Sequence, residues 1–192
     1  MRPPRLFSVL ALCTCTALTA LSFADPTAKS PPIIRVWSGK SGHELKLYAG
    51  DQIIKTYRVA IGPGGPGPKW REGDKVTPVG RYHITMHQPS QFTIYLRLDY
   101  PTAADWLRFN DAKKKGEPPD KATIGSDIGI HGTGNPAWDG VHKQSDWTLG
   151  CIALGNAEIV EIAGMIKDGT AVDLEDERKQ AHCHPERSER SP

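Results

Sequence analysis

Glu44-Leu45-Lys46-Leu47-Tyr48-Ala49-Gly50-Asp51-Gln52 is the stretch that sets the fold class. Leu45 and Leu47 alternate with Glu44, Lys46 and Tyr48, the two-residue period of a strand with one face toward a core. Ala49-Gly50-Asp51-Gln52 turns the chain, and Tyr57, Val59 and Ile61 resume the alternation, so the segment reads as a β-hairpin. The same period recurs outward from it. Tyr82, Ile84 and Met86 form a third set, and Phe92, Ile94, Leu96 and Leu98 a fourth; Ile128 and Ile130 lead directly into His131; 170–174 makes a last strand. The stretch 62–69 is too rich in Gly and Pro for regular structure and reads as a loop. Two helices enter late. Thr102 with Asp105 has the spacing of a capping box, and Gly116 with Pro118-Pro119 stops that helix. Asn156 is placed to cap a second helix whose apolar residues Ile159, Val160, Ile162, Ala163 and Ile166 share one face, with Gly169 ending it. Many short strands with two inserted helices predict a mainly β, single-domain sandwich.

The ends of the chain have a different composition. Residues 1–24 read as a signal peptide: Arg2 and Arg5 give a basic start, 6–21 is largely apolar, and Ser22-Phe23-Ala24 offers small residues where a signal peptidase reads. An uncleaved anchor and a lipoprotein signal at Cys13 or Cys15 are the other readings. All three send the domain out of the cytoplasm, to the periplasm or an equivalent space, and the membrane is met only through this segment if it stays uncleaved. Residues 25–32 form a polar, Pro-rich leader, the domain occupies 33–174, and 175–192 is a polar tail expected to be disordered. The chain carries 24 basic and 22 acidic residues, and Arg2 and Arg5 fall in the signal, so the remainder is formally neutral. That balance excludes a nucleic-acid partner bound through a basic patch. Two of the four cysteines lie in the signal, and Cys151 with Cys183 is too sparse a set for a disulfide-stapled domain.

Thr148-Leu149-Gly150-Cys151 carries the chemistry. A thiol attacks as thiolate and needs a base or a cation beside it. His131, at the end of an apolar strand and followed by Gly132, is the base expected to hold the sulfur ionised. Gly150 removes a side chain just before the sulfur, so a substrate carbonyl can approach backbone N–H groups. The plain alternatives for Cys151 are a core thiol or a bridge to Cys183. His131-Gly132-Thr133, a polar loop with Gly and Trp, and then Thr148-x-Gly150-Cys151 resembles the signature of the L,D-transpeptidase catalytic domain of the YkuD/ErfK type. Gly73-Asp74-Lys75-Val76-Thr77-Pro78-Val79-Gly80-Arg81-Tyr82 is similar to a second motif of that family, and Asp99-Tyr100-Pro101 to an extended segment before its helix.

The resemblance implies Cys151 as nucleophile and His131 as general base. It implies Gly132 as the carbonyl that orients the imidazole, Gly150 and Cys151 as oxyanion donors, and Thr148 as a brace for the loop. It implies no cofactor and no metal, and peptidoglycan stem peptides as substrate, with a second stem or a wall-attached protein as acceptor. Two positions depart from the family: Leu149 stands where a second His is frequent, and Ala153 where Arg or Asn is common. A hydrolase of the same family and a non-catalytic wall-binding module are the competing functions.

Other residues have plainer readings beside functional ones. Trp147 and Trp138 either wall a substrate cleft or anchor the loop. His142 reads as a solvated loop histidine, and a zinc site from His131, His142 and Cys151 lacks the short ligand spacings of such sites. His182-Cys183-His184 has metal-ligand composition in a polar tail. Lys69 and Arg71 read as solvated charges or as contacts for acidic stems; His83 and His87 read as exposed strand positions.

Overall fold

The computed structural model describes residues 35–39, by their backbone, and 42–176. The signal, the leader, the tail after Asp176 and its His182-Cys183-His184 motif lie outside the described residues. The hairpin is present as β2 (Glu44–Ala49) and β3 (Gln52–Arg58), with Leu45 and Leu47 fully buried. β1 (Arg35–Gly39) pairs with β2 antiparallel and with β8 (Ala171–Glu175) parallel.

β4 (Gly80–Ser90) joins the two halves of the sandwich. Its first residues pair with β8, from Gly80↔Leu174 to His83↔Ala171, and its later ones with β5 (Thr93–Leu98), from Ile84↔Leu98 to Ser90↔Thr93. β5 continues to β6 (Gly129–His131) and β6 to β7 (Ile152–Ala153), giving the order β3-β2-β1-β8-β4-β5-β6-β7. Ala60, just past β3, bridges Ala153 with N···O distances of 2.8 and 3.0 Å, so the two ends of this order meet. One core cluster takes Leu45 and Leu47 from one half, Leu96 and Ile130 from the other, and Ile159 and Ile162 from a helix. The protein is mainly β, as its alternation predicts.

Helix α1 (Ala103–Lys114) starts at Thr102 with the expected capping box to Asp105. Asp105 also accepts the Tyr82 hydroxyl at 3.0 Å, which fixes α1 to β4. Several local expectations change. Met86 is 42 % exposed because the register shifts between Ile84 and Met86, and the bulge takes it off the core face. Helix α2 (Asn156–Met165) is capped by Gly155, whose N–H donates to the Glu158 carboxylate at 2.7 Å; Asn156 is its first residue and is used elsewhere. Val160 is 51 % exposed, so the buried face is the narrower set Ile159, Ile162 and Ile166. α2 stops at Met165, and Gly169, at φ +87°, shapes the turn into β8. At the polar end, Glu175 closes β8 and Asp176 is buried, accepting the Gly67 N–H at 2.9 Å, so these two residues of the expected tail belong to the fold.

Candidate active site

Strand register builds the site. Tyr95 lies opposite His131, and His131 opposite Ala153, so Tyr95, His131 and Cys151 project from one face. Leu96, Ile130 and Ile152 project from the other, into the core. The period that buries the leucines and isoleucines is therefore the period that presents Tyr95, His131 and Cys151 together. A cleft of about 640 Å³ opens over that face, lined among others by Lys69, Phe92, Tyr95, His131, Trp147 and Cys151.

His131 is buried, and its Nδ1–H donates to the Gly132 carbonyl at 2.6 Å, which assigns the tautomer and leaves Nε2 to take a proton. The imidazole is held between aromatic rings: Phe92 at 4.6 Å, Tyr95 at 6.0 Å and nearly parallel, and Trp147 edge-on at 5.8 Å between centroids. Burial pushes the imidazole below the ordinary histidine range, the Gly132 carbonyl opposes that, and nearby His142 adds to the lowering. It is neutral at neutral pH. Gly132 has no room for a side chain, since a Cβ would lie 2.7 Å from Asn156 Oδ1.

Cys151 is half-buried and free. Its sulfur lies 3.5 Å from the Asp127 carbonyl and 3.9 Å from the Tyr95 hydroxyl, whose own proton goes to the Asp127 carbonyl at 2.5 Å. Burial pushes the thiol up. The Gly129 N–H, the Tyr95 hydroxyl and the Lys69 charge pull it down, and Asp127 adds to the rise. The net direction is upward, so the resting sulfur is a thiol, and among the described residues it makes no hydrogen bond to His131. Burial thus works against a sulfur already ionised beside the imidazole, since it disfavours the charged form of both groups.

The loop that carries Cys151 is braced by Thr148. Its hydroxyl donates to the Cys151 carbonyl at 2.7 Å and accepts the Gly150 N–H at 3.2 Å. Gly150 N–H is thereby engaged, and of the two expected oxyanion donors the Cys151 N–H is the one left open. Gly150 is glycine for the protein's own backbone: φ is +129° and a Cβ would meet the Val76 carbonyl at 2.8 Å. Trp147 and Thr148 both donate backbone N–H to the Ile61 carbonyl, at 3.1 and 3.2 Å, and Asp146 accepts the Ile61 N–H at 3.0 Å.

Trp147 therefore serves both readings, as cleft wall and as loop anchor. Trp138 is 48 % exposed and lies behind it, edge-on at 5.6 Å, off the cleft. His142 is buried rather than solvated, with Nδ1 shared between the Trp138 and Asp139 carbonyls at 3.2 and 3.0 Å, and it does not line the cleft. Ala153 is fully buried in β7 and offers no polar contact. Arg71 is exposed, and His83 pairs with Asp99 at the surface. His87 is half-buried against Asp168 at 2.5 Å, not a free strand position. The described residues contain no cluster of three His, Cys, Asp or Glu positioned for a metal.

Three residues of the site escaped the sequence reading, and a fourth, Lys69, was read only as a solvated charge or a contact for acidic stems. Tyr95 and Phe92 sit in or beside β5, and only the pairing of β5 with β6 brings them to His131. Asn156 accepts from Thr93 Oγ1 at 2.7 Å and from the N–H groups of Thr133 and Gly134, each at 3.0 Å, pinning the chain after His131. Lys69 is buried against Asp74 at 2.6 Å, so it is not a solvated charge.

Known proteins resemble this chain in sequence and in fold. YkuD of Bacillus licheniformis is 27 % identical over 158 residues, covering 80 % of this chain and 73 % of that protein. YqjB of Bacillus subtilis, also named as an L,D-transpeptidase, is 26 % identical over 174 residues, covering 86 % and 85 %. The fold matches the crystal structure of the helical cell shape determining protein Pgp2 from Campylobacter jejuni, with a TM-score of 0.57 and 24 % identity. That match covers 76 % of this chain and 48 % of Pgp2, so the chain spans about half the length of that solved structure. The family model for the L,D-transpeptidase catalytic domain, YkuD, matches residues 34–174, and the chain belongs to that family.

Proposed function

We propose that this chain is an extracytoplasmic peptidoglycan L,D-transpeptidase, with Cys151 as nucleophile and His131 as its base. The observation that carries this reading is the His131 Nδ1–H bond to the Gly132 carbonyl, which turns the basic Nε2 of a neutral imidazole into service on the cleft that Cys151 shares. In the reaction, Nε2 takes the thiol proton as Sγ attacks the carbonyl of the third stem residue. The charge on the tetrahedral oxygen falls to the Cys151 N–H. His131 then returns the proton to the leaving amine of the fourth residue, leaving a thioester on Sγ. An acceptor amine attacks that thioester, gives its proton to Nε2, and releases Sγ, which is reprotonated.

The thioester conserves the energy of the broken amide, so a new amide forms where no ATP is at hand. Burial that keeps both groups neutral at rest means the charge pair forms only as bonding begins, and that favours the acyl transfer over idle oxidation of a thiolate. Transfer outruns hydrolysis where the cleft orients the amine better than it orients water. The acceptor is a second stem or a wall-attached protein, and residues 1–24 carry the chain out of the cytoplasm.

Purified protein incubated with disaccharide tetrapeptides, with products read by mass, tests the reading. Cross-linked dimers support it. Tripeptides alone make the chain a carboxypeptidase of the same family, and no product with intact Cys151 makes it a binding module. Cys151→Ala is expected to abolish product.

A further inference from the structure

The cleft holds one basic side chain besides His131 among its lining residues, and it is an unusual one. Lys69 is 6 % exposed yet lines the cleft. It is held by Asp74, whose Oδ1 accepts Nζ at 2.6 Å and the Val76 N–H at 2.9 Å, while Oδ2 accepts the N–H groups of Trp70 and Arg71 at 2.8 and 3.0 Å. Asp74 is therefore shared among four donors and is less a counter-ion than a clamp. An ammonium has three N–H donors and this one spends one on Asp74. The acids at the cleft wall are otherwise engaged: Asp127 pairs with Arg97 at 2.6 Å and Glu72 accepts the Thr123 hydroxyl at 2.6 Å. A buried cation carries a desolvation cost, and the shared Asp74 carboxylate offsets it through a single bond to Nζ.

We propose that Lys69, clamped by Asp74, is the carboxylate-binding subsite of this cleft, where it receives an anionic group of the acyl donor beside the attacked amide. The inference rests on the stem-peptide reading above and names the group that would orient the donor. The leaving residue of a tetrapeptide carries a carboxylate one carbon from the departing nitrogen. A diamino acid at the third position carries another on its side chain. Both present the same chemistry to an ammonium, and both lie within a residue of the reacting carbonyl. Lys69 and Cys151 line the same cleft, and the lysine charge pulls the thiol down. Ala153 leaves the position two residues after the nucleophile without charge, so this cation reaches the cleft from the Pro/Gly loop.

Binding measured by calorimetry on the full chain with Cys151→Ala separates the subsite from turnover. Three ligands serve: the tetrapeptide stem, the same stem with a C-terminal carboxamide, and the same stem with the side-chain carboxylate of its third residue amidated. One of the two amides is expected to bind about tenfold or more weaker than the free acid, as a lost charge-assisted hydrogen bond implies, and which one identifies the carboxylate. Adding Lys69→Met is expected to erase that penalty while leaving the affinity for the penalised amide unchanged, and Lys69→Arg to return part of it. Equal binding of all three ligands with Lys69 present overturns the proposal. So does a penalty that survives Lys69→Met. Equal loss of all three in Lys69→Met makes Lys69 a brace for the cleft and overturns it too. Because the nucleophile is absent, failure of wild-type protein to form product would sink the transfer reading without touching these ratios.

Discussion

His131 and His142 lie close together, are both buried, and both give a ring N–H to backbone carbonyls, yet only one faces the cleft. His131 ends a strand whose neighbours fix its side, and its Nε2 is left for substrate. His142 sits in a short 3-10 turn, His142–Gln144, with Nε2 buried and without a hydrogen-bond partner. The carbonyl bond that selects a tautomer is thus common to the histidine that lines the cleft and to the one that does not. Access, supplied by the sheet, is what separates them. His142 still acts at a distance, because its proximity helps hold the His131 imidazole neutral.

The comparison breaks most visibly at His131. His131→Gln removes the base and is expected to lower kcat/KM for tetrapeptide by about 10²- to 10⁴-fold, measured by product mass over time, with the fold intact by circular dichroism. Thr148→Val removes one acceptor and one donor from the loop that carries Cys151. A loss of roughly tenfold in kcat and about 1–2 kcal/mol in unfolding free energy is expected, read from kinetics and urea titration. His142→Gln leaves kcat/KM within about threefold, since the residue touches no reacting atom. Its mark is on the pH profile. A base lowered in pKa loses activity only below the ordinary histidine range, as protonation sets in; removing His142 relieves part of the lowering and moves that acid limb upward. A limb that stays in place would separate the two histidines completely.

A complementary pH experiment addresses the sulfur. Burial raises the thiol, so alkylation of Cys151 by iodoacetamide in the free protein is expected to rise with pH along a curve whose midpoint lies above that of an ordinary thiol. A midpoint below the ordinary value would mean a preformed thiolate.

Alternation in the sequence was enough to place His131 at the end of a strand whose other face is core, because Ile130 and Ile128 mark that face. The capping box at Thr102 and the breaker at Gly116 were equally local, and α1 follows them. Tyr95 shows where such reading stops. Its own strand assigns it only to the side opposite Leu96, and nothing local says that β5 lies against β6, more than thirty residues on. Lys69 was only half legible: a lysine next to Pro and Gly reads as solvated or as a contact for acidic stems, and its burial shows only once Asp74 and its turn are seen to enclose it. Asn156 looked like a helix cap because a side-chain carbonyl at a helix start usually serves one, but here it is spent on Thr133 and Gly134. Gly150 was legible as a glycine of consequence, while its reason, the Val76 carbonyl pressed against it, is a contact across the fold.

Intact-protein mass spectrometry during turnover of a disaccharide tetrapeptide tests the central pairing most directly. A transient adduct of the disaccharide tripeptide is expected on Cys151 in the wild-type chain, formed far more slowly in His131→Gln. Unchanged adduct formation without His131, or an adduct that persists in Cys151→Ala, would contradict it.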